Sequence, residues 1–237
     1  MLGHGKAIAA TDGDLARLAD RLKVHPADLE AIKIVESAGF GWFPDGRLKI
    51  LFEKNWFYKL TKGAERKAAV RAGLARRKWI SPKRGGYSEQ AEPSARYQIL
   101  SAAMKINPEM AMQSISQGSF QIMGFNYGIC GFASASAMFA AMCETEQAHL
   151  LAFSRFLQSK GLASAIRARD FDKVERVYNG GGLNGRYAVR MTKHSNSLRA
   201  VKWKGYQAGS FGQSANVRKV PKPRANPRRK FAWQFWR

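Results

Sequence analysis

Residues 35–54, VESAGFGWFPDGRLKILFEK, join a predicted helix to a predicted β-hairpin. Apolar residues at helical spacing over 26–36, with proline in the first turn, indicate an α-helix. Gly39 is a plausible stop for that helix. The turn signal at 44–46 lies between apolar runs, which predicts a hairpin spanning 42–52. The stretch therefore indicates a mixed fold, in which a helix leads directly into a small sheet.

Helical patterns dominate the rest of the chain. A capping box at Thr11 begins the first helix, and residues 109–128 read as one short helix and a loop. The expected class is mainly α with a small β-hairpin or sheet. Two domains are expected: a folded body over 1–205 and a basic tail, rich in proline and aromatic residues, over 206–237. Further helices are predicted at 94–106, 134–159, 162–178 and 186–201, with a glycine-rich loop at 179–185.

The net charge of +23, from 40 basic and 17 acidic residues in 237, is unevenly distributed. Residues 59–84 hold ten basic residues and one acidic residue, and residues 176–237 hold 15 basic residues and no acidic ones. The remainder is close to neutral. Such charge requires a polyanionic partner: nucleic acid, an anionic membrane or an anionic wall polymer. Its confinement to two blocks argues against a nucleic-acid-binding fold, in which basic residues are more often spread through the domain.

Other features of the composition limit the possible classes. An apolar content of 45% excludes a wholly disordered chain, and no apolar run is long enough for a membrane span. Two cysteines, Cys130 and Cys143, cannot build a disulfide framework. The N-terminus lacks the order of a secretory signal, so we expect no signal peptide. No metal-binding motif is present, and neither a metal nor a cofactor is expected.

Glu36 is the first candidate for chemistry. It lies at the predicted C-terminal end of a helix, where the partial negative charge disfavours a second one. Apolar neighbours add to this effect, so the carboxyl should hold its proton more tightly. Such a group suits a general acid near neutral pH. The alternative is a solvated surface glutamate.

Two further stretches combine polar groups with small residues. Residues 114–124, SISQGSFQIMG, place Gln121 inside an apolar run, where its amide either satisfies buried backbone groups or faces a cleft. Residues 178–182, YNGGG, place an aromatic ring and an amide, Tyr178 and Asn179, at a helix end. By itself the second stretch is typical of a flexible turn.

Together and in this order, the three stretches resemble the lysozyme superfamily of peptidoglycan-cleaving glycosidases. Residues from about 12 to 195 are more closely similar to the N-acetylmuramidase domain of phage endolysins. The motifs that carry the resemblance are Val35-Glu36-Ser37-Ala38-Gly39-Phe40, Pro44-Asp45-Gly46-Arg47, Ile50-Leu51-Phe52-Glu53-Lys54, Ser116-x-Gly118-x-Phe120-Gln121-Ile122-Met123-Gly124-Phe125-Asn126-Tyr127, Phe132, Glu146-x-x-His149-Leu150, Phe153 and Tyr178-Asn179-Gly180.

The resemblance implies a lysozyme-like α+β fold and hydrolysis of the β-1,4 bond between N-acetylmuramic acid and N-acetylglucosamine. Glu36 matches the glutamate that protonates the leaving oxygen. Glu53 matches a second glutamate, which would orient water or stabilise positive charge on the sugar, or alternatively form a structural ion pair at a helix start. His149 is expected to pack between helices. The residues expected to contact substrate are Ser116, Gln121, Tyr178 and Asn179.

Three departures from the family pattern fall near the expected cleft. The family usually has histidine at the position of Asn55, tryptophan at that of Gln117, and a proline-tyrosine pair within 181–183. None of the departures is at the position of Glu36. They leave open a protein that binds wall polymer without cleaving it. Two further alternatives have other grounds: a lytic transglycosylase, which also uses one glutamate as acid and base, and a nucleic-acid-binding protein, which the net charge would explain.

The tail is expected to act on the cell envelope. Aromatic and basic side chains together suit an anionic lipid interface, so we expect contact with the outer membrane or its lipopolysaccharide; a merely solubilising tail is the alternative. We expect a monomer that stays in the host cytoplasm until release through a membrane pore or lysis and then acts on peptidoglycan in the periplasm. The tail residues assigned to the envelope are Arg228, Arg229, Lys230, Trp233 and Trp236.

Overall fold

The computed structural model describes residues 2–179 and 184–209, in which eleven helices surround a three-stranded antiparallel sheet. This confirms the expected class, mainly α with a small sheet. The helices are α1 (Asp12–Leu22), α2 (Pro26–Ser37), α3 (Lys54–Leu60), α4 (Gly63–Arg71), α5 (Pro93–Met104), α6 (Pro108–Gln113), α7 (Ala135–Glu144), α8 (Glu146–Ser159), α9 (Leu162–Arg167), α10 (Phe171–Asn179) and α11 (Arg186–Ala200), and the strands are β1 (Ile50–Phe52), β2 (Ile115–Gln117) and β3 (Ile122–Met123).

Side-chain caps define the first two helices. The hydroxyl of Thr11 accepts from the backbone N–H of Asp14, whose carboxylate accepts from the N–H of Thr11, so the capping box is confirmed. The imidazole of His25 caps α2 by accepting from the N–H of Ala27 at 3.1 Å. At its other end α2 stops at Ala38, which adopts a left-handed conformation (φ 56°) one residue before the expected stop.

The sheet differs from the predicted hairpin. Around the 44–46 turn only one bridge forms, between Trp42 and Leu48, and the strand then pairs elsewhere. β1 runs antiparallel to β2, with Leu51 opposite Ser116, and β2 pairs with β3. The loop expected within 109–128 thus contains the true hairpin. Its strands are too short, and too rich in serine and glutamine, to show the alternation by which strands are recognised.

The helix predicted over 134–159 is two helices. Thr145 separates them, with an extended backbone (φ −144°, ψ 148°) that forms a bridge with Ile8 near the N-terminus. Its hydroxyl caps α8 by accepting from the N–H of Ala148. The stretch 162–178 is similarly divided into α9 and α10.

Helix α2 lies at the centre of the fold, with the side chains of Leu29 and Ile32 fully buried. α1 packs on one side of it and α11 lies along another. Cys130 and Cys143 are free and buried, and burial raises the pKa of each thiol to about 12. No helix in the described ranges is both long and apolar enough to cross a bilayer.

The packed body extends past residue 205. The hydroxyl of Tyr206 donates to the carboxylate of Asp20, and the N–H of Gly209 donates to the same carboxylate at 3.0 Å. The envelope-binding residues Arg228, Arg229, Lys230, Trp233 and Trp236 all lie outside the described residues. The division into a domain over 1–205 and a tail over 206–237 stays a prediction.

Candidate active site

Glu36 lies one residue before the end of α2, and only 1% of its surface is exposed. The surface-glutamate alternative is therefore wrong. The chain then turns sharply through Ala38 and passes close to the core at Gly41. A Cβ atom at Gly41 would lie 2.5 Å from the ring of His149 and 2.6 Å from the hydroxyl of Ser119, so glycine is required there. This close approach places the start of the sheet beside the end of α2.

Lys49 ties the end of α2 to the sheet. Its ammonium donates to the carbonyl of Ser37, next to Glu36, at 2.7 Å. Burial, followed by the positive charges of Arg96 and Lys33, lowers the pKa of Lys49 to about 7. This lysine was not among the residues predicted from the sequence. The signal was available, because a lysine between Leu48 and Ile50 interrupts an apolar run.

The stretch 116–121 forms a tight turn, within which Ser116 and Gln121 are joined by a side-chain hydrogen bond. The hydroxyl of Ser116 donates to the Gln121 side-chain oxygen at 3.0 Å, and the Gln121 amide donates to the carbonyl of Gly118 at 2.8 Å. Both Gly118 (φ 75°) and Gln121 (φ 47°) adopt positive φ angles. Because a non-glycine residue rarely adopts this conformation, the amide contacts must hold the turn in place.

Tyr178 connects this turn to Glu36. Its hydroxyl donates to the carbonyl of Phe120 at 2.6 Å, while its ring packs edge-on against Phe153 and Phe156. The pKa of Tyr178 is raised well above its usual value, first by burial and then by the negative charge of Glu36. The tyrosine and the glutamate therefore lie within electrostatic reach of each other. The side chain of Asn179, the neighbouring candidate, is not among those that the structure describes.

Glu53 follows β1 directly and is fully buried. It occupies the position before the first turn of α3, but its side chain makes no capping hydrogen bond there. Instead the carboxylate accepts from the hydroxyl of Tyr87 at 2.7 Å, and that hydroxyl accepts from the indole N–H of Trp79 at 2.7 Å. Tyr87 and Trp79 were not predicted from the sequence, because only the fold brings them to Glu53.

Comparison with known proteins shows the family of the chain. The model of the N-acetylmuramidase family matches residues 25–199, which is more than half of the chain. The chain belongs to the N-acetylmuramidase family. It is accordingly a glycoside hydrolase of the lysozyme type, and its substrate is peptidoglycan.

Among solved structures, the crystal structure of an endolysin from Burkholderia phage AP3 is similar to this muramidase. The two share 34% sequence identity, and the superposition has a TM-score of 0.68. It covers 81% of this chain and 72% of the other. A comparison with curated protein sequences returns no match.

A polar cluster lies behind the turn of the muramidase and is formed by buried Ser119, Glu146 and His149 together with half-buried Lys33. Glu146 accepts from the ammonium of Lys33 at 2.6 Å and from the hydroxyl of Ser119 at 2.5 Å. Burial opposes ionisation of Glu146, but these contacts keep its pKa below the usual value. Burial also lowers the pKa of His149 to about 4, despite the neighbouring carboxylate.

The polar cluster supports the turn and does not resemble a metal centre. In residues 2–179 and 184–209, no group of three His, Cys, Asp or Glu side chains lies close enough together to hold a metal ion. Of the departures from the family pattern, Asn55 and Gln117 are both buried beside β1 and β2. The third departure, within 181–183, lies outside the described residues.

Proposed function

We propose that Glu36 is the general acid with which this muramidase cleaves the β-1,4 bond between N-acetylmuramic acid and N-acetylglucosamine. The burial of its side chain at the end of α2 carries the proposal, because burial favours the neutral form of a carboxyl group. A neutral carboxyl can give its proton to the glycosidic oxygen as the bond to the anomeric carbon breaks.

Glu53 is proposed as the second carboxylate. As the bond breaks, the sugar ring gains positive charge, and a nearby carboxylate stabilises it or orients the attacking water. The hydrogen bond from Tyr87 fixes the orientation of the Glu53 carboxylate. Water adds its hydroxyl to the anomeric carbon and gives up its proton to a carboxylate, so the reaction consumes one water and leaves two shorter glycan chains.

Ser116, Gln121, Tyr178 and Asn179 are proposed to form the substrate-facing wall of the cleft. The first three are linked to one another through the 116–121 turn, and Tyr178 lies within electrostatic reach of Glu36. Their hydrogen bonds support a shaping role: they hold the turn in a conformation with two positive φ angles. Substrate contact through this wall would then depend on the turn as a unit.

The test of Glu36 compares the wild-type protein with Glu36→Gln in a turbidity assay on purified peptidoglycan. We expect the variant to lose activity by at least about a hundredfold, because glutamine cannot donate the proton. Glu65→Gln, which changes an exposed glutamate on α4, is the matched control and should clear peptidoglycan at the wild-type rate. Equal clearing by Glu36→Gln would refute the assignment.

Mass spectrometry of the products tests the reaction type. Hydrolysis leaves reducing sugar ends that carry the oxygen of water, whereas a lytic transglycosylase leaves anhydro ends. We expect reducing ends at N-acetylmuramic acid and incorporation of one heavy oxygen from labelled water. Anhydro ends would instead favour the transglycosylase.

The basic tail is proposed to bring the endolysin to the bacterial envelope. Its residues Arg228, Arg229, Lys230, Trp233 and Trp236 combine cations with large aromatic rings, which suits contact with lipopolysaccharide. These residues are separate from every residue proposed for the cleft, so envelope binding and cleavage should be separable.

A further inference from the structure

Trp79 presents an exposed indole beside the proposed cleft. It lies after α4, in the first basic block, and 43% of its surface is exposed. Its indole N–H donates to the hydroxyl of Tyr87 at 2.7 Å, so one edge of the ring is fixed while much of the ring stays accessible. An exposed tryptophan with a fixed orientation is unusual on a merely solvated surface.

The loop between Trp79 and Tyr87 is built to hold the two rings together. The N–H of Gly86 donates to the carbonyl of Ser81 at 3.0 Å, and the guanidinium of Arg76 donates to the carbonyl of Gly86 at 2.6 Å. A Cβ atom at Gly86 would lie 1.9 Å from the carbonyl oxygen of Ile80. Only glycine permits this close approach. Gly86 is therefore required for the loop conformation that brings Trp79 and Tyr87 together.

The same hydrogen bonds connect the indole to Glu53. Trp79 donates to Tyr87 and Tyr87 donates to the Glu53 carboxylate, with both distances at 2.7 Å. The indole nitrogen is therefore two hydrogen bonds from the proposed second carboxylate.

The surroundings of Trp79 are strongly cationic. Arg77 and Lys78 precede it directly and are exposed, as are Lys83 and Arg84 on the following loop. Peptidoglycan offers a complementary pair of groups: sugar rings with apolar C–H faces and peptide substituents with carboxylates. An aromatic face packs against the first, and lysine and arginine attract the second.

We propose that Trp79 is a saccharide-binding platform that stacks on an N-acetylhexosamine ring of the glycan strand, beside the Glu53 end of the cleft. The exposed basic residues around it attract the carboxylates of the peptide substituents. This inference rests on the proposed function, because it places Glu53 in the cleft. It adds a binding subsite on the loop after α4, outside the sheet and helices that carry the other candidates.

The test measures binding separately from cleavage. Proteins carrying Glu36→Gln are sedimented with purified peptidoglycan, and the apparent Kd is compared with and without Trp79→Ala. We expect Trp79→Ala to weaken binding about three- to tenfold, the size of one aromatic contact. Trp79→Phe keeps a ring but loses the N–H, and should weaken binding by about twofold.

Val70→Ala, which removes another exposed apolar side chain from α4, is the matched control and should leave the Kd unchanged. Unchanged binding by folded Trp79→Ala would overturn the proposal. Residual cleavage by Glu36→Gln would overturn only the assignment of Glu36, since the effect of Trp79 is read from binding. With Glu36 intact, Trp79→Ala should raise KM by a similar factor and change kcat less than about twofold.

Peptide-free glycan tests whether the contribution of Trp79 depends on the peptides. After the peptides are removed with an amidase, Trp79→Ala should still weaken binding, because the sugar ring remains. The double change Arg77→Ala and Lys78→Ala should weaken binding to both polymers, and less so at high salt, because amide hydrolysis leaves a lactyl carboxylate on each N-acetylmuramic acid. An effect of Trp79→Ala that disappears with the peptides would contradict sugar stacking.

Discussion

His149 must stay neutral to support the 116–121 turn. Its Nδ1 accepts from the backbone N–H of Ser119 at 3.1 Å, so Nδ1 carries no hydrogen there. Its Nε2 then carries the hydrogen and donates to the carbonyl of Met142 at 2.7 Å. A second proton would place a donor against the Ser119 N–H. The fixed tautomer explains why burial, which lowers the pKa, is compatible with the fold.

This arrangement predicts acid sensitivity of the folded state. The pKa of His149 falls from 6.5 to about 4 on folding. Between about pH 6.5 and pH 4, the unfolded chain therefore binds a proton on His149 that the native state does not bind. Stability contributed by neutral His149 is complete above pH 6.5 and is lost as the pH falls towards 4. Urea unfolding at about pH 7.5 and pH 5 should show a loss of about 1–2 kcal/mol from this group.

His149→Asn separates this effect from other titrating groups. Asparagine offers an oxygen to the Ser119 N–H but does not titrate, so the variant should be less stable at neutral pH and lose less on acidification. The groups that face His149 are Glu146 from α8 and Lys33 from α2, and both remain. His4→Asn, at an exposed histidine, is the control. If the acid-induced loss is the same in His149→Asn and the wild type, the neutral-histidine argument is wrong.

Glu36 and Trp79 show what sequence could and could not reveal about the site. Glu36 was predictable because a helix end, a glycine stop and a following turn are all local signals. Its proximity to Tyr178 depends on the packing of α10 against the fold, and only the family resemblance suggested it. The link from Trp79 through Tyr87 to Glu53 depends on the conformation of the loop at Gly86. No local sequence pattern predicts that conformation.

At the scale of elements, α11 holds the helix that carries Glu36. The buried carboxylate of Asp28, in the first turn of α2, accepts from the hydroxyl of Ser195 at 2.5 Å and from the guanidinium of Arg199 at 2.6 Å. Further along α2, Glu30 accepts from the indole of Trp203 at 2.6 Å. The polar contacts thus fix the register of α11 along α2.

Removing the buried partner should destabilise the protein. Asp28→Ala leaves the Ser195 hydroxyl and the Arg199 guanidinium without their acceptor, and we expect the free energy of unfolding to fall by about 2–4 kcal/mol. Asp12→Ala, which removes a largely exposed partner of Lys202, is the matched control and should cost less than about 1 kcal/mol. Chemical denaturation measures both. Equal losses would show that Asp28 contributes no more than a surface pair.

The predicted helix and strand bounds were wrong where an element depends on contacts that are distant in sequence. The positions of α1, α2, α5 and α11 follow from apolar spacing and caps, and they were predicted closely. The break at Thr145 was not, because the apolar pattern continues through it and the extended backbone pairs with Ile8, far away in sequence. The strands β2 and β3 likewise owe their conformation to pairing, not to propensity.

At the scale of the whole molecule, the two blocks that hold the excess charge are separate in sequence from the two proposed catalytic glutamates. The described basic residues around 59–84 are mostly exposed, whereas Glu36 and Glu53 are buried in the near-neutral part of the sequence. The remaining excess lies largely in α11 and the tail. Attraction to an anionic envelope and cleavage of the glycan are therefore expected to depend on different residues.

Deleting residues 218–237 tests this separation. We expect the shortened protein to clear purified peptidoglycan within about twofold of the wild-type rate, because every proposed cleft residue remains. Killing of intact Gram-negative cells from outside should be lost, since cations and aromatic rings that engage lipopolysaccharide are gone. Permeabilising the outer membrane should then restore killing.

A second variant separates charge from aromatic insertion. Trp233→Ser with Trp236→Ser keeps every basic residue of the tail, and should retain salt-dependent attachment to cells while losing most of the killing. Unchanged killing by the deletion would show that the tail only solubilises the protein. Slower clearing of purified peptidoglycan by the deletion would instead place the tail on the wall polymer, because that substrate has no outer membrane.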